Sequence, residues 1–474
     1  MDDNQTGTRT ERDSMGEMQV PGHALHGAST QRALLNFPIS GLRFPRRFIR
    51  ALGQIKLAAA ATNEELRLID RDVARRIVAA AQDVVDGKLD DHFVLDIFQT
   101  GSGTSTNMNA NEVIANHAAR KSQADPNAKR IHPNDHVNFG QSSNDVIPSA
   151  LHLAAAGAIK EDLLPAMQTL KASLERKSKE FWPIIKTGRT HLQDATPIRL
   201  GQEFLGYAGQ MERGITRVQR GLEELCEIAL GGTAVGTGIN THPEFGKRAA
   251  AKLAQLSGLP IKETSNHFQA QATLDNAVSA SGALKTLAVS LTKIANDIRW
   301  LGSGPRAGIG EIDLPAVQPG SSIMPGKVNP VICESALMVC AQVIGNDAAI
   351  TVGGQSGNFE INLTMPLVAY DLLQSIELLA ATCNNLATQA VDGIKATSKG
   401  PEMVERGLAI GTSLAPIIGY DAAAAIAKEA AKSGRTIREV AREQTKLSEA
   451  ELQQILDPAL MVEPSADRVG AGGG

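Results

Sequence analysis

Three stretches of this chain, about Asp145 to Lys179, about Pro197 to Leu230 and about Asn266 to Leu301, keep apolar positions at helical spacing. Each spans roughly thirty residues, or about 45 Å of helix at 1.5 Å per residue. Helices of that length exceed an ordinary single-domain core. They imply a bundle, and one that packs against the bundles of neighbouring subunits. Small faces such as Ala154-Ala155-Ala156-Gly157 and Ser279-Ala280-Ser281-Gly282 suit close interhelical approach. No sustained a/d heptad with charged flanks appears, so a coiled-coil rod is the weaker reading. Abundant alanine and only 3 % aromatic residues agree with tightly packed helices. The fold class expected is mainly all-α.

A chain of 474 residues suggests more than one domain. The sequence divides into an N-terminal part at 1–142, a central long-helix part at 143–398 and a small C-terminal helical part at 399–474. Lys399-Gly400-Pro401 marks the last boundary. In the N-terminal part, residues up to about 20 read as loosely held, helical pattern begins near Phe48, and Asn63 to Gly87 reads as one amphipathic helix. The closing Gly470-Ala471-Gly472-Gly473-Gly474 reads as a flexible tail. A net charge of −4 gives no reason to expect a nucleic-acid or anionic-membrane partner. Cys226, Cys333, Cys340 and Cys383 lack Cys-x-x-Cys spacing and read as buried thiols of a reducing compartment. No uncharged apolar run reaches the roughly 18 residues of a membrane span. The N-terminus carries acidic residues and no apolar leader segment. The location expected is cytoplasmic.

The chemistry lies in polar links between the helices. Pro319-Gly320-Ser321-Ser322-Ile323-Met324-Pro325-Gly326-Lys327-Val328-Asn329-Pro330 holds three prolines, two glycines and two serines in twelve residues. Such a stretch cannot continue a helix or a central strand. Its glycine and serine let backbone amides approach an anion, Lys327 adds a cation, and Asn329-Pro330 reads as an N-cap followed by the first helical residue. The competing reading is a surface linker, against which Ile323 and Met324 stand. Gln99 to Asn107 is a run of small hydroxylic residues before a helix signal at Asn109. It offers donors to an anion, or simply a helix-entry turn. No strand precedes it, so it is not a dinucleotide fingerprint.

Further on, His132 and His136 stand four apart, but Pro133 and Asn134 break the helix a metal pair would need. Ser142, Ser143 and Asn144 read as the cap of the next helix, with a ligand-facing role open beside it. His191, beside Thr190 in a short polar link at 187–197, is a candidate acid–base group, with a solvated histidine as the alternative. Gly231 to Asn240 forms another glycine-rich turn. Glu334 falls in an early helical turn, where the dipole favours negative charge.

Taken together these segments resemble the fumarase/aspartase superfamily, and specifically the class II, iron-free fumarate hydratases. Gly320 to Pro330 matches the superfamily signature. Gln99-Thr-Gly-Ser-Gly-Thr104, His132-Pro-Asn-Asp135, Gln141-Ser-Ser-Asn-Asp145, Gly188-Arg-Thr-His-Leu-Gln-Asp-Ala195, Gly231 to Gly238 and Gly357-Asn-Phe-Glu-Ile-Asn362 follow in the family order. The resemblance runs from about Asp13 to about Val462. It implies a homotetramer with a multi-helix core, and active sites to which three subunits contribute. The implied reaction is reversible, stereospecific hydration of fumarate to (S)-malate, a step of the tricarboxylic acid cycle, through an aci-carboxylate intermediate.

By the same resemblance Ser321 is the base, and His191 handles the water proton with Glu334 as its partner. Ser102, Gly103, Thr104, Ser142, Ser143, Asn144, Thr190, Ser322, Lys327, Val328 and Asn329 line the substrate site. A secondary anion site falls at Lys129, His132, Pro133, Asn134 and Asp135. No metal or other cofactor is implied. Two departures stand out. His26 replaces a usual aromatic, and Gln269 a usual glutamate. Aspartate ammonia-lyase, of the same superfamily, is the alternative enzyme, but it typically has alanine at the place of Gly326. A catalytically inert structural member is the alternative of another class, and the presence of Ser321, His191 and Lys327 argues against it.

Overall fold

The computed structural model describes residues 7–122 and 128–466. The fold is all-α, with a few short two-stranded sheets. The described chain opens on an antiparallel hairpin, β1 (Thr8–Asp13) and β2 (Gly16–Pro21). This start is held more firmly than its polar composition suggests. The Arg9 guanidinium donates to the carbonyls of Pro21, Ala24 and His26 at 2.9, 2.6 and 2.7 Å, tying the hairpin to the segment that leads into the first helix. The glycine tail at 470–474 lies outside the described residues.

Four helices come next: α1 (Ala28–Asn36), α2 (Arg46–Glu65), α3 (Arg71–Val85) and α4 (Thr104–Lys121). The single helix expected from Asn63 to Gly87 is therefore two. Arg67 takes a positive φ of 61°, and the Asp70 carboxylate caps α3 by accepting from the amides of Asp72 and Val73. Periodicity alone does not reveal that break, because apolar residues continue across it. Helix α4 starts at Thr104, earlier than the signal at Asn109, because the Gln99 side chain takes up the Thr106 amide at 3.0 Å.

The first long run is observed as α5 (Ser143–Ala158) and α6 (Leu164–Glu180), joined by a π-helical turn at Ile159–Leu163. The second starts later than expected. Residues Ile185–Thr190 (β3) and Gln193–Arg199 (β4) pair as an antiparallel hairpin, and helix α7 is Leu200–Leu225. After α8 (Phe245–Ser257), the third run is a short α9 (His267–Ala272), an extended Thr273, and the long α10 (Asp275–Leu301). Helices α11 (Val331–Gly354) and α12 (Met365–Asn385) complete the long elements. Among the described residues, α11 is the one helix long and apolar enough by composition to cross a membrane, yet it carries Glu334 and Asp347.

The chain divides into two compact units. The first holds residues up to Pro165, Gly214–Ala288 and Val339–Ala381; the second holds Ala166–Arg213, Val289–Met338 and residues from Thr382 onward. The boundaries fall inside α6, α7, α10, α11 and α12. In the first unit α2 packs on α3, α5 and α8. Phe48, Leu52, Ile55, Ile77, Ile147 and Leu151 are fully buried there. Each such side chain contributes about 1.5–3 kcal/mol relative to exposure. Gly53 permits the close α2–α3 approach, since a Cβ there would lie 3.0 Å from Val84 and Val85 side-chain carbons. In the second unit Phe181, Phe204 and Tyr207 stack edge to face, with centroids 5.2 and 5.5 Å apart. A separate small core formed around Leu414, Ile426, Ile437, Val440 and Leu452 holds the C-terminal helices together.

Candidate active site

In the first unit, the loop before α4 and the start of α5 bring three hydroxyls into a chain. Thr104 Oγ1 lies 2.8 Å from Ser102 Oγ and 2.7 Å from Ser143 Oγ. Local backbone geometry explains why. Gly103 has φ +71°, and a Cβ there would strike Ile147 at 2.9 Å; Gly101 touches the Leu363 carbonyl so closely that a Cβ would sit 2.0 Å from its oxygen. The Met365 amide donates to the Gly101 carbonyl at 3.0 Å, closing that approach. Only glycine permits it.

Ser142 is the N-cap of α5, as its sequence suggests, and forms a capping box with Asp145. The Asn144 side-chain amide donates to the Ala234 carbonyl at 2.8 Å, tying this turn to the glycine-rich segment that starts at Gly231. Ser102, Gly103, Thr104, Ser142, Ser143 and Asn144 therefore form one group. Its hydroxyls and amides can offer several donors to a carboxylate.

Beneath that group lie two charges that sequence pattern alone does not single out. Burial pushes the Asp145 carboxyl up to about 6, although amides from Ser142, Gly231 and Thr233 oppose the shift. Burial likewise pushes the Lys56 ammonium down to about 7. A lone lysine within the run Gly53-Gln-Ile-Lys-Leu-Ala-Ala-Ala-Ala61 is the signal that could have found it.

In the second unit, the loop before α11 carries Ser321, Ser322, Lys327, Val328 and Asn329. Its ends are clasped: the Gly320 amide donates to the Lys327 carbonyl at 2.8 Å, and the Asn329 side chain donates to the Gly320 carbonyl at 2.8 Å. The Asn329 side chain thus braces the loop and does not cap α11. The Pro330 carbonyl takes the first helical bond, from Glu334, so the helix begins one residue later than expected. Ser321 Oγ accepts from the amides of Ile323 and Met324 at 3.2 and 3.0 Å. Two backbone donors on one hydroxyl oxygen favour its deprotonated form. Lys327 is exposed, and so is Glu334 in the first turn of α11.

Thr190 and His191 lie on the β3–β4 hairpin, where sequence pattern suggests only a polar link. Thr190 pairs with Gln193, so His191 and Leu192 alone make the reversal, with φ 55° and 60°. Two central residues at positive φ define a type I′ turn, here built without glycine. Such backbone costs about 1–3 kcal/mol and concentrates at functional sites. Below the tip, Lys186 is buried between Glu203 at 2.8 Å and Glu311 at 3.0 Å, while Arg189 grips Glu311 at 2.6 and 3.1 Å. The segment from Ile185 to Thr190 holds a single large apolar residue and no apolar–polar alternation, so no strand signal marks this hairpin.

At the expected secondary anion site, Lys129 pairs with Asp70 at 2.5 Å. His132 Nδ1 accepts from the Asp135 amide at 3.1 Å, heading a π turn over Pro133–Val137 that includes Asn134. The two departures are packing matters. His26 is buried against Gln31 at 3.1 Å, and Gln269 donates to Asp275 at 3.0 Å, where a glutamate would set two carboxylates together.

Comparison with known proteins bears on the family and the fold. The family model described as "Lyase" matches residues 16–345, and that of the "Fumarase C C-terminus" matches 410–463. A protein named fumarate hydratase class II from Neisseria meningitidis is 52 % identical over 462 residues, which is 96 % of this chain and 99 % of that one. Another of that name from Halobacterium salinarum is 54 % identical, covering 95 % and 96 %. Among solved structures, class II fumarase from Schistosoma mansoni superposes with TM-score 0.94 at 38 % identity, covering 96 % of this chain and 99 % of that one. The fumarate lyase:delta crystallin of Brucella melitensis bound to cobalt gives 0.91 at 45 %, covering 97 % and 100 %.

Proposed function

From the premise that this chain belongs to the class II fumarate hydratase family, we propose that Ser321 is the base of its reaction. The reaction is the reversible hydration of fumarate to malate, a step of the tricarboxylic acid cycle. In the malate direction a proton leaves carbon next to a carboxylate. The aci-carboxylate that results carries roughly one more negative charge, and preorganised donors must meet it. The observation that carries the assignment is the pair of amides on Ser321 Oγ, which supports an alkoxide there. Lys327 and Asn329 hold one carboxylate, with Ser322 and Val328 beside them. The Ser102–Thr104–Ser143 hydroxyls, with Gly103, Ser142 and Asn144, take the other end.

His191, assisted by Glu334 and beside Thr190, moves the water proton on the opposite face, so that addition is anti. These residues meet as contributions from three copies of the chain in a homotetramer. Apolar side chains left open on the long helices support that assembly. Leu205 is 51 % exposed, Val289 55 %, Met338 69 % and Val352 63 %. Lys129 and His132 to Asp135 form a separate anion site. The enzyme works in the cytoplasm, in keeping with four buried cysteines.

The test follows fumarate absorbance with the purified protein, offered malate and then aspartate. Absorbance rising with malate and not with aspartate supports the reading. The opposite result would make it an ammonia-lyase, and silence with both an inert structural protein.

A further inference from the structure

A fully buried pair of opposite charges underlies the hydroxyl group of the first unit, and no step of the hydration uses it. Lys56 and Asp145 are both 0 % exposed. Asp145 accepts from Ser142 N at 2.9 Å, Gly231 N at 3.0 Å and Thr233 N at 2.9 Å. Lys56 Nζ donates to Asn138 Oδ1 at 2.9 Å and to Gln141 Oε1 at 3.0 Å. Asn138 in turn accepts from the Asn107 side chain at 3.1 Å and donates to the Gln141 carbonyl at 3.0 Å.

Every one of these bonds ends on a segment that flanks the hydroxyl chain. Asn107 lies in the first turn of α4, three residues beyond Thr104. Asn138 and Gln141 lead into Ser142 and Ser143. Gly231 and Thr233 precede Ala234, whose carbonyl holds Asn144. Thr233 has a positive φ of 55°, uncommon for a β-branched residue, and its amide is aimed at Asp145.

Each of the two charges is held by neutral groups, and burying a charge costs free energy that apolar groups of similar volume would not incur. Stability alone therefore does not account for a charged pair at this depth. We propose that Lys56 and Asp145 are a positioning pair: by tying the segments at 107, 138–142 and 231–234 together, they set the spacing of the Ser102, Thr104 and Ser143 hydroxyls and Asn144, and so the affinity for a dicarboxylate. This rests on the reading that those groups hold a substrate carboxylate.

The test is a charge-balanced double variant of the whole enzyme, Lys56→Met with Asp145→Asn. It removes both charges at near-constant volume and so avoids the lone buried charge of either single change. Assembly is followed by light scattering, and binding of succinate, a non-reacting four-carbon dicarboxylate, by calorimetry. We expect an assembled enzyme whose succinate Kd and fumarate KM rise threefold or more, with kcat changed less than either. A smaller rise in Kd overturns the proposal. So does failure to assemble, because the pair would then be a requirement for folding. Thr104→Ala and Ser143→Ala are measured beside it. If they leave succinate binding unchanged, the underlying carboxylate reading fails; if they weaken it and the double variant does not, only the positioning role fails.

Discussion

The base we propose, Ser321, is a hydroxyl, and its ordinary acidity is far too low for that role unaided. What the structure adds is local. The Ile323 and Met324 amides converge on Oγ, and Lys327 stands six residues away in a loop folded back on itself. Ser321→Ala removes the proposed proton acceptor together with the two bonds it takes from the Ile323 and Met324 amides. We expect kcat to fall by at least about 10², with melting temperature and assembly unchanged. Normal turnover in that variant would remove Ser321 from the mechanism. The role we propose for Lys327 is one of charge. A charge-assisted contact contributes about 1.5–3 kcal/mol, so Lys327→Met should raise KM and weaken dicarboxylate inhibitors by about tenfold to a hundredfold. Calorimetry with succinate checks this, and unchanged affinity would place the substrate carboxylate elsewhere.

The β3–β4 hairpin makes the matching case for elements. Its tip holds His191 in a backbone conformation that ordinary side chains avoid, and buried Lys186 and Glu311, with half-buried Glu203 and Arg189, support its base. Removing one partner of a buried ion pair costs about 3–5 kcal/mol, because the remaining charge is left without compensation. Glu311→Gln leaves Lys186 and Arg189 facing a neutral amide, and we expect a loss of about 3 kcal/mol, read as a lower urea midpoint. An unchanged midpoint would mean that Glu203 alone balances Lys186. This element also shows where sequence reasoning stops. Long helices such as α10 are legible because dozens of residues repeat one period. The glycines at 101 and 103 are legible as punctuation, but the reason for the first, the carbonyl of the far more distant Leu363, is not. A two-residue turn without glycine carries no compositional mark, so the hairpin reads as a link. Lys56 looks like one charge in an alanine-rich helix, because its partners at Asn138 and Gln141 are remote in sequence.

For the molecule as a whole, buried carboxyls shape how stability changes with pH. Burial raises the Asp371 carboxyl to about 6. In the unfolded chain that group ionises near 3.9, so from about pH 4 to 6 the unfolded state has lost a proton that the native state keeps. The contribution of Asp371 to stability therefore falls as pH rises through this window and is constant above it. Relative to Asp371→Asn, the parent should lose about 2 kcal/mol between pH 4 and 7, a figure reduced for residual solvent contact. Calorimetric melting of both proteins across that range checks the sign; parallel curves would mean the carboxyl is ionised throughout. A different consequence comes from where the two compact units divide. The chain passes between them within α6, α7, α10, α11 and α12, whereas separable domains meet at exposed linkers. A protease therefore finds no tether there to nick, and recombination finds no seam at which one half could be exchanged. Such a gene is inherited as one block, and it can be altered residue by residue but not by shuffling modules.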